Sequence, residues 1–185
     1  MNSLNRGIYE VDLKWDPSPM GRPPSHLDIV AATYLASEPD GQPAYLVYFG
    51  SRSPDGTIYL NPDSADGKGF GWDEVMTLEL GRLDHRYARV VVGVVIQQHP
   101  GHQTFANLLN PRLRVREGYD VLAEDDFGGV LGATAATVAE FVRDESGDWS
   151  FRPGLHGVEH GVHRLVGHTS PGPENDPDDD WPQES

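Results

Sequence analysis

The sequence predicts an all-β protein, an antiparallel β-sandwich, and three observations lead to this fold class. Apolar residues recur in short segments, several of which alternate with polar residues at period two, as in half-buried strands. Glycine and proline contribute 21 and 15 of the 185 residues, which is typical where turns join many strands. The turn residues return at short intervals, a spacing that favours a sandwich over a parallel sheet.

The first predicted strand is Tyr9–Trp15, in which apolar and polar residues alternate. A loop with four prolines, residues 16–24, breaks the chain after it. Apolar, β-branched or aromatic segments flanked by turn residues then predict four more strands. These are Leu27–Leu35, Ala44–Phe49, Ile58–Leu60 and Val75–Leu80.

Arg89–Gln97 is the most apolar segment, so we expect a central strand that is buried on both faces. Arg112–Glu117 alternates basic and apolar residues and predicts a strand with one buried face. Ala135–Arg143 and Trp149–Phe151 predict a hairpin around the turn at residues 144–148.

Two short helices are also predicted. Thr104–Leu109 is expected to form one of them in the crossover before Arg112, and Val158–Val166 has apolar residues at helical spacing. Residues 1–168 are therefore expected to form one domain. Residues 169–185 carry six acidic residues and four prolines and predict a disordered tail.

Composition limits the possible functions. The net charge of −15 argues against nucleic acid or an anionic membrane as a partner and suits a cation-binding protein. The absence of cysteine excludes disulfides and thiolate metal sites. Since no apolar N-terminal segment or membrane-length apolar span occurs, we expect a soluble, cytoplasmic protein.

Residues 53–74 form the most informative segment, because three glycines at alternate positions lie between its acidic residues. Carboxylates, together with the carbonyls that sharp glycine turns expose, supply the hard oxygen ligands that Ca²⁺ takes. The segment is not an EF-hand, because Ala65 and Gly67 occupy two ligand positions and Lys68 the position of the required glycine. Its acidic residues are Asp55, Asp63, Asp66, Asp73 and Glu74, and its alternating glycines are Gly67, Gly69 and Gly71.

The same segment resembles a motif of the TerD-type tellurium-resistance and stress-protein family. The family pattern is SPDGS-V followed without gaps by GDN-x-TG-x-G-x-GDDE. Residues 53–58 match its first half, and the second half is matched by Asp63, Gly67, Gly69, Gly71, Asp73 and Glu74. The first family motif, GWD and a DLDAS-like strand, is similar to Lys14–Asp16 and His26–Ala31. The likeness extends over roughly residues 8–157.

The resemblance implies a β-sandwich that binds Ca²⁺ through acidic loops in a bacterial stress response. Four positions depart from the family pattern, namely His26, Pro62, Ser64 and Trp72. The expected ligands are Asp28, Asp63, Asp66, Asp73 and Glu74, with Asp16 in reserve and backbone carbonyls near residues 67–71 completing the shell.

Several of these residues also have a structural interpretation. Asp28 lies just before an apolar strand core, where a carboxylate is costly unless it is paired or coordinated, but it can also cap a turn. Asp16 and Asp55 are typical turn residues beside proline, and Asp55 is interpreted as structural first. His156, His160 and His163 would share a helix face suited to Zn²⁺ or Ni²⁺, although surface histidines are the simpler interpretation.

The predicted function is that of a non-catalytic, calcium-binding stress protein that acts as an adaptor or sensor. Its expected partners are a divalent cation and other stress-response or membrane-associated assembly proteins, without nucleic acid and without membrane insertion. One alternative is a scaffold with a degenerate metal site. Another is a cation-dependent enzyme for phosphate-containing substrates, but no nucleophile motif supports it, and Asp125–Asp126 is interpreted as the start of a loop.

Overall fold

Strands make up nearly all the regular structure in the computed structural model, which describes residues 7–61, 71–98 and 101–158. The strands are β1 Ile8–Asp16, β2 Leu27–Leu35, β3 Tyr45–Val47, β4 Ile58–Leu60, β5 Glu74–Glu79, β6 Tyr87–Ile96, β7 Leu109–Glu117, β8 Asp120–Asp125, β9 Ala135–Arg143 and β10 Trp149–Val158. Within these described ranges, three short 3₁₀ turns lie between strands, at Leu80–Arg82, Phe105–Asn107 and Gly128–Val130.

The ten strands form two antiparallel sheets of five. The first sheet has the order β4-β5-β1-β7-β8, and the second has the order β10-β9-β6-β2-β3. Alternate residues of β1, among them Val11 and Leu13, pack into a core shared with residues of the second sheet such as Ile29 and Val92. This arrangement confirms the predicted all-β sandwich.

Most predicted strands agree with the structure. β2 and β4 have the predicted bounds, and β6 is the central strand of the second sheet with a long buried stretch. β3 is shorter than predicted, because it pairs with β2 only between Ala31 and Thr33. β8 was not among the strands that the sequence predicted.

The helix predictions are not confirmed among the described residues. Thr104–Leu109 contains a single 3₁₀ turn, and no α-helix occurs in the described part of the chain. Val158 ends β10, whose last residues, His156 to Val158, pair with Ala135 to Thr137 of β9. Strand pairing therefore overrides the helical spacing that begins at Val158, and residues 159–166 lie outside the described residues, as does the predicted tail.

Among the residues described, no helix has the length and apolar character needed to cross a lipid bilayer.

Candidate metal centre

One end of the sandwich brings together the strand ends that carry most of the predicted ligands. β1 finishes at Asp16 where β5 begins, since Leu13 pairs with Glu74. β2 begins at this end beside the last residue of β6, since Leu27 pairs with Ile96. The two sheets meet here through the buried Trp15, whose indole N–H donates to the Ser25 carbonyl at 3.1 Å.

Asp73 continues the pairing of the first sheet beyond the start of β5. Its backbone N–H donates to the Leu13 carbonyl at 2.9 Å. Its carboxylate Oδ2 accepts the Trp15 backbone N–H at 2.9 Å. The side chain is buried, with 2% of its surface exposed. Asp73 therefore satisfies a backbone donor that no strand reaches, which is the usual condition for a polar group to be buried.

Glu74 links the two sheets. It belongs to β5 in the first sheet, and its Oε1 accepts the backbone N–H of Ile29 in the second sheet at 3.0 Å. The pairing of β2 with β3 ends at Ala31, so β3 does not reach Ile29. A side-chain carboxylate therefore supplies an acceptor beyond the end of the short edge strand.

Asp28 precedes Ile29 and is also buried, with 7% of its surface exposed. Because Leu27 and Ile29 pack into the core, strand alternation turns Asp28 to the outer face of the second sheet. Its Oδ2 accepts the side-chain amide of Gln97 at 2.9 Å. Gln97 is itself fixed by its backbone N–H, which donates to the His26 carbonyl at 2.9 Å.

Asp16 lies at the same end, at the last position of β1. Its Oδ2 accepts the side-chain amide of Asn110 at 2.7 Å. Asn110 has a left-handed backbone with φ of 46°, a conformation that asparagine adopts more readily than most residues. Asp63 and Asp66, the other two predicted ligands, lie outside the described residues.

Asp55 lies at the opposite end of the sandwich and has a structural role. Its Oδ1 accepts bonds from the Ser53 hydroxyl, the Thr57 hydroxyl and the Thr57 backbone N–H, at 2.9, 2.7 and 3.1 Å. Partial burial acts to raise the pKa of Asp55, but the hydrogen bonds from Thr57 and Ser53 outweigh it and lower the pKa below its ordinary value. The interpretation of Asp55 as a turn residue is confirmed.

Two other interpretations concern residues outside the predicted set of ligands. Asp125 and Asp126 accept the backbone N–H groups of Phe127 and Gly128 at 2.7 and 2.9 Å, so they shape a turn as expected for the start of a loop. His156 lies in β10, so the helical histidine face is wrong at this residue. His160 and His163 lie outside the described residues.

The chemistry of the donor set suits Ca²⁺. Asp28, Asp73 and Glu74 are carboxylates, which are hard oxygen ligands, and each has one oxygen oriented by an N–H donor. Within residues 7–61, 71–98 and 101–158, however, no three acidic or histidine side chains come close enough to hold a metal ion by themselves. A complete coordination shell would therefore also need further oxygens, such as backbone carbonyls or waters.

Sequence reasoning missed the residues that orient these carboxylates. Gln97 and Asn110 hold Asp28 and Asp16, yet an amide at a strand end carries no distinctive sequence signal. Arg114 is a residue that the sequence could have pointed to, because basic residues alternate with apolar ones in this strand. It belongs to the alternating basic residues of β7, and its guanidinium carbon lies 4.4 Å from the centroid of the Trp72 ring.

Comparison with known proteins finds one family and closely similar structures. The model of the TerD domain family matches residues 5–168. No curated protein matches the chain. A crystal structure of a protein of unknown function, SAV2460, is 68% identical with a TM-score of 0.84, covering 88% of this chain and 95% of that one. A homologue of telluride resistance protein (TerD), SCO6318 from Streptomyces coelicolor A3(2), is 51% identical with a TM-score of 0.83, covering 87% of this chain and 95% of that one.

Proposed function

Because this chain belongs to the TerD domain family, we propose that it is a calcium-binding, non-catalytic stress-response protein of the tellurium-resistance type. The observation that carries the proposal is that Asp28, Asp73 and Glu74 lie at the same end of the sandwich, where each has one oxygen oriented by an N–H donor. Oriented carboxylates suit a cation that takes many oxygen ligands.

Two further observations support this proposal, one for the cation and one for the resistance role. The net charge of −15 attracts cations and disfavours anionic partners. The similar SCO6318 protein is described as a homologue of telluride resistance protein, which supports a role in the same kind of resistance. We further propose that the protein acts as an adaptor or sensor within a larger assembly. In this role the bound cation would change the conformation of the end of the sandwich that carries Asp28, Asp73 and Glu74.

The test is a calorimetric titration of the metal-stripped protein with CaCl₂ and, in parallel, with MgCl₂. We expect Ca²⁺ to bind more tightly, because Mg²⁺ requires tight octahedral geometry and retains its waters. Binding should stabilise the fold by about 2.7 kcal/mol when free calcium is a hundredfold above its Kd. Asp28→Asn should lose most of this gain. The matched control is Asp55→Asn, which removes an acidic charge at the opposite end of the sandwich and should leave calcium binding unchanged.

A scaffold with a degenerate metal site is the second candidate, and one observation favours it. Asp73 and Glu74 already accept backbone N–H groups that no strand reaches, so both residues have a structural task without any metal. This candidate predicts no thermal shift of the wild type at millimolar calcium, the result that would refute calcium binding. Turnover of a phosphoester panel in the presence of calcium would instead support a cation-dependent enzyme.

A further inference from the structure

Asp12 is a fully buried carboxylate on the outer face of the first sheet. Its neighbours Val11 and Leu13 pack into the core, so strand alternation turns Asp12 away from it. Asp12 is nevertheless 0% exposed. Its Oδ2 accepts the Nε–H groups of Arg114 and Arg116 of β7 at 2.8 and 2.9 Å. The two arginines supply the paired charge that a buried carboxylate needs.

The Arg114 side chain starts on β7, passes Asp12 and reaches the other side of β1. Its guanidinium carbon lies 4.4 Å from the centroid of the Trp72 ring, within the range of a cation–π interaction. Trp72 directly precedes β5, and β5 and β7 flank β1 on opposite sides. Arg114 therefore crosses over Asp12 and connects β7 to the segment that leads into β5.

Trp72 is followed directly by two of the candidate ligands. Asp73 is bonded to Leu13 and Trp15 of β1, and Glu74 is bonded to Ile29 of β2. These hydrogen bonds form only if the backbone of residues 72–74 holds one conformation as it enters β5. The contact between Trp72 and Arg114 restricts the conformations open to Trp72, the residue directly before Asp73.

We propose that Arg114, oriented by Asp12, is a positioning residue for the candidate calcium site. This inference rests on the proposed function. Arg114 holds Trp72 against the first sheet, and Trp72 in turn fixes the orientation of Asp73 and Glu74. Trp72 directly precedes both ligands, so a contact that anchors its ring acts on the backbone that carries them.

The sign of the effect separates positioning from simple electrostatics. Arg114→Gln removes a positive charge near a cation site, so electrostatics alone would tighten calcium binding. Loss of the stacking contact should instead weaken it, by about three- to tenfold from the size of cation–π interactions. The matched control is Arg112→Gln, an exposed arginine two residues earlier on the same strand, which removes the same charge and should not weaken binding. Arg114→Lys keeps the charge and should recover part of the affinity.

The experiment is a titration with CaCl₂ of wild type, Arg114→Gln, Trp72→Leu and the double variant. Trp72→Leu leaves the Asp12 ion pairs in place, so it tests the contact even if Arg114→Gln folds poorly. If both residues act through one contact, the double variant should bind no more weakly than the weaker single variant. Additive losses in the double variant, or unchanged or tighter binding by Arg114→Gln, would overturn the proposal.

Hydrogen exchange on the metal-free proteins provides a readout that does not need calcium. The backbone amides of Trp15 and Asp73 should exchange faster in Arg114→Gln than in wild type or Arg112→Gln, because their bonds depend on the direction of residues 72–74. If exchange is faster in Arg114→Gln but the wild type binds no calcium, the positioning role is supported and only the proposed function is refuted. Unchanged exchange would overturn the positioning role.

Discussion

Glu74 offers a direct test of how the two sheets are joined at the candidate site. Ile29 is fully buried, and its backbone N–H donates to Glu74 Oε1 at 3.0 Å. Glu74→Ala removes the acceptor and leaves a buried N–H unpaired, at a cost of about 1–3 kcal/mol. Glu74→Gln keeps an oxygen acceptor of similar reach and removes only the charge, so it should cost less than about 1 kcal/mol.

The two variants should respond to calcium in the same way although their metal-free stabilities differ. Each has lost a carboxylate, so each should lose most of the calcium-dependent gain, which is about 2.7 kcal/mol for wild type at a hundredfold excess over Kd. In the absence of calcium, Glu74→Ala should melt below Glu74→Gln by about 2–4 °C for each kcal/mol.

The assay is urea and thermal unfolding followed by far-UV circular dichroism, with and without calcium. Glu79→Ala is the matched control. It lies at the other end of β5 and pairs with the exposed Arg82, and exposed pairs contribute about 0–1 kcal/mol. Equal metal-free stabilities of Glu74→Ala and Glu74→Gln would show that the bond between the sheets contributes nothing, and the reasoning would be refuted.

Three further predictions concern residues outside the candidate site. The Arg143 guanidinium donates to the carbonyls of residues 80, 83, 84 and 87. Arg143→Lys should therefore cost about 2–3 kcal/mol in urea unfolding, whereas the exposed Arg152→Lys should cost nearly nothing. Asp55→Ala should cost about 0.5–1.5 kcal/mol by loss of its turn bonds and leave the calorimetric calcium response intact; a lost response would contradict its structural role. Burial raises the pKa of Tyr45 to about 12, above its unfolded value of about 10, so this contribution to stability is complete below pH 10 and is lost as the pH rises toward 12. Tyr45→Phe should reduce the fall in urea stability between pH 9 and pH 11, and an undiminished fall would contradict the assignment.

The fold could be predicted largely because burial leaves a periodic trace in the sequence. In β1, Val11 and Leu13 pack into the core and Asp12 between them faces outward, so the alternation is readable in the order of the residues alone. β8 leaves no such trace. It is an edge strand on which Val121 and Leu122 are 52% and 39% exposed, so its apolar residues do not indicate a buried face.

The predicted helix at Val158–Val166 shows a different limit. Helical spacing is a local property, whereas the last residues of β10 are determined by pairing with Ala135 to Thr137 of β9. About twenty residues separate the two partners, so a local pattern carries no information about their contact. Tertiary pairing decides such ambiguous segments.

For the candidate site, the sequence indicated residues but not their contacts. Glycine and carboxylate spacing, together with the family resemblance, indicated Asp28, Asp73 and Glu74. Their hydrogen-bond partners lie 69, 58 and 45 residues away in the sequence. Backbone N–H groups are present in nearly every residue, so only the ending of a neighbouring strand makes one of them available. Where a neighbouring strand ends depends on the pairing of the sheet, which cannot be read from the local sequence.

The structural tasks of Asp73 and Glu74 and their proposed role as calcium ligands reinforce each other. Asp73 is tied to β1 of the first sheet, and Glu74 carries a bond from the first sheet to Ile29 of the second. A cation bound by both carboxylates would therefore touch residues anchored in both sheets. Unfolding separates the sheets and destroys the arrangement, so the ion would bind the folded state far better than the unfolded chain. A ligand on one exposed loop could dissociate with local opening and add little to global stability. The anchoring of these carboxylates in both sheets is the reason to expect calcium to raise the stability of the whole sandwich.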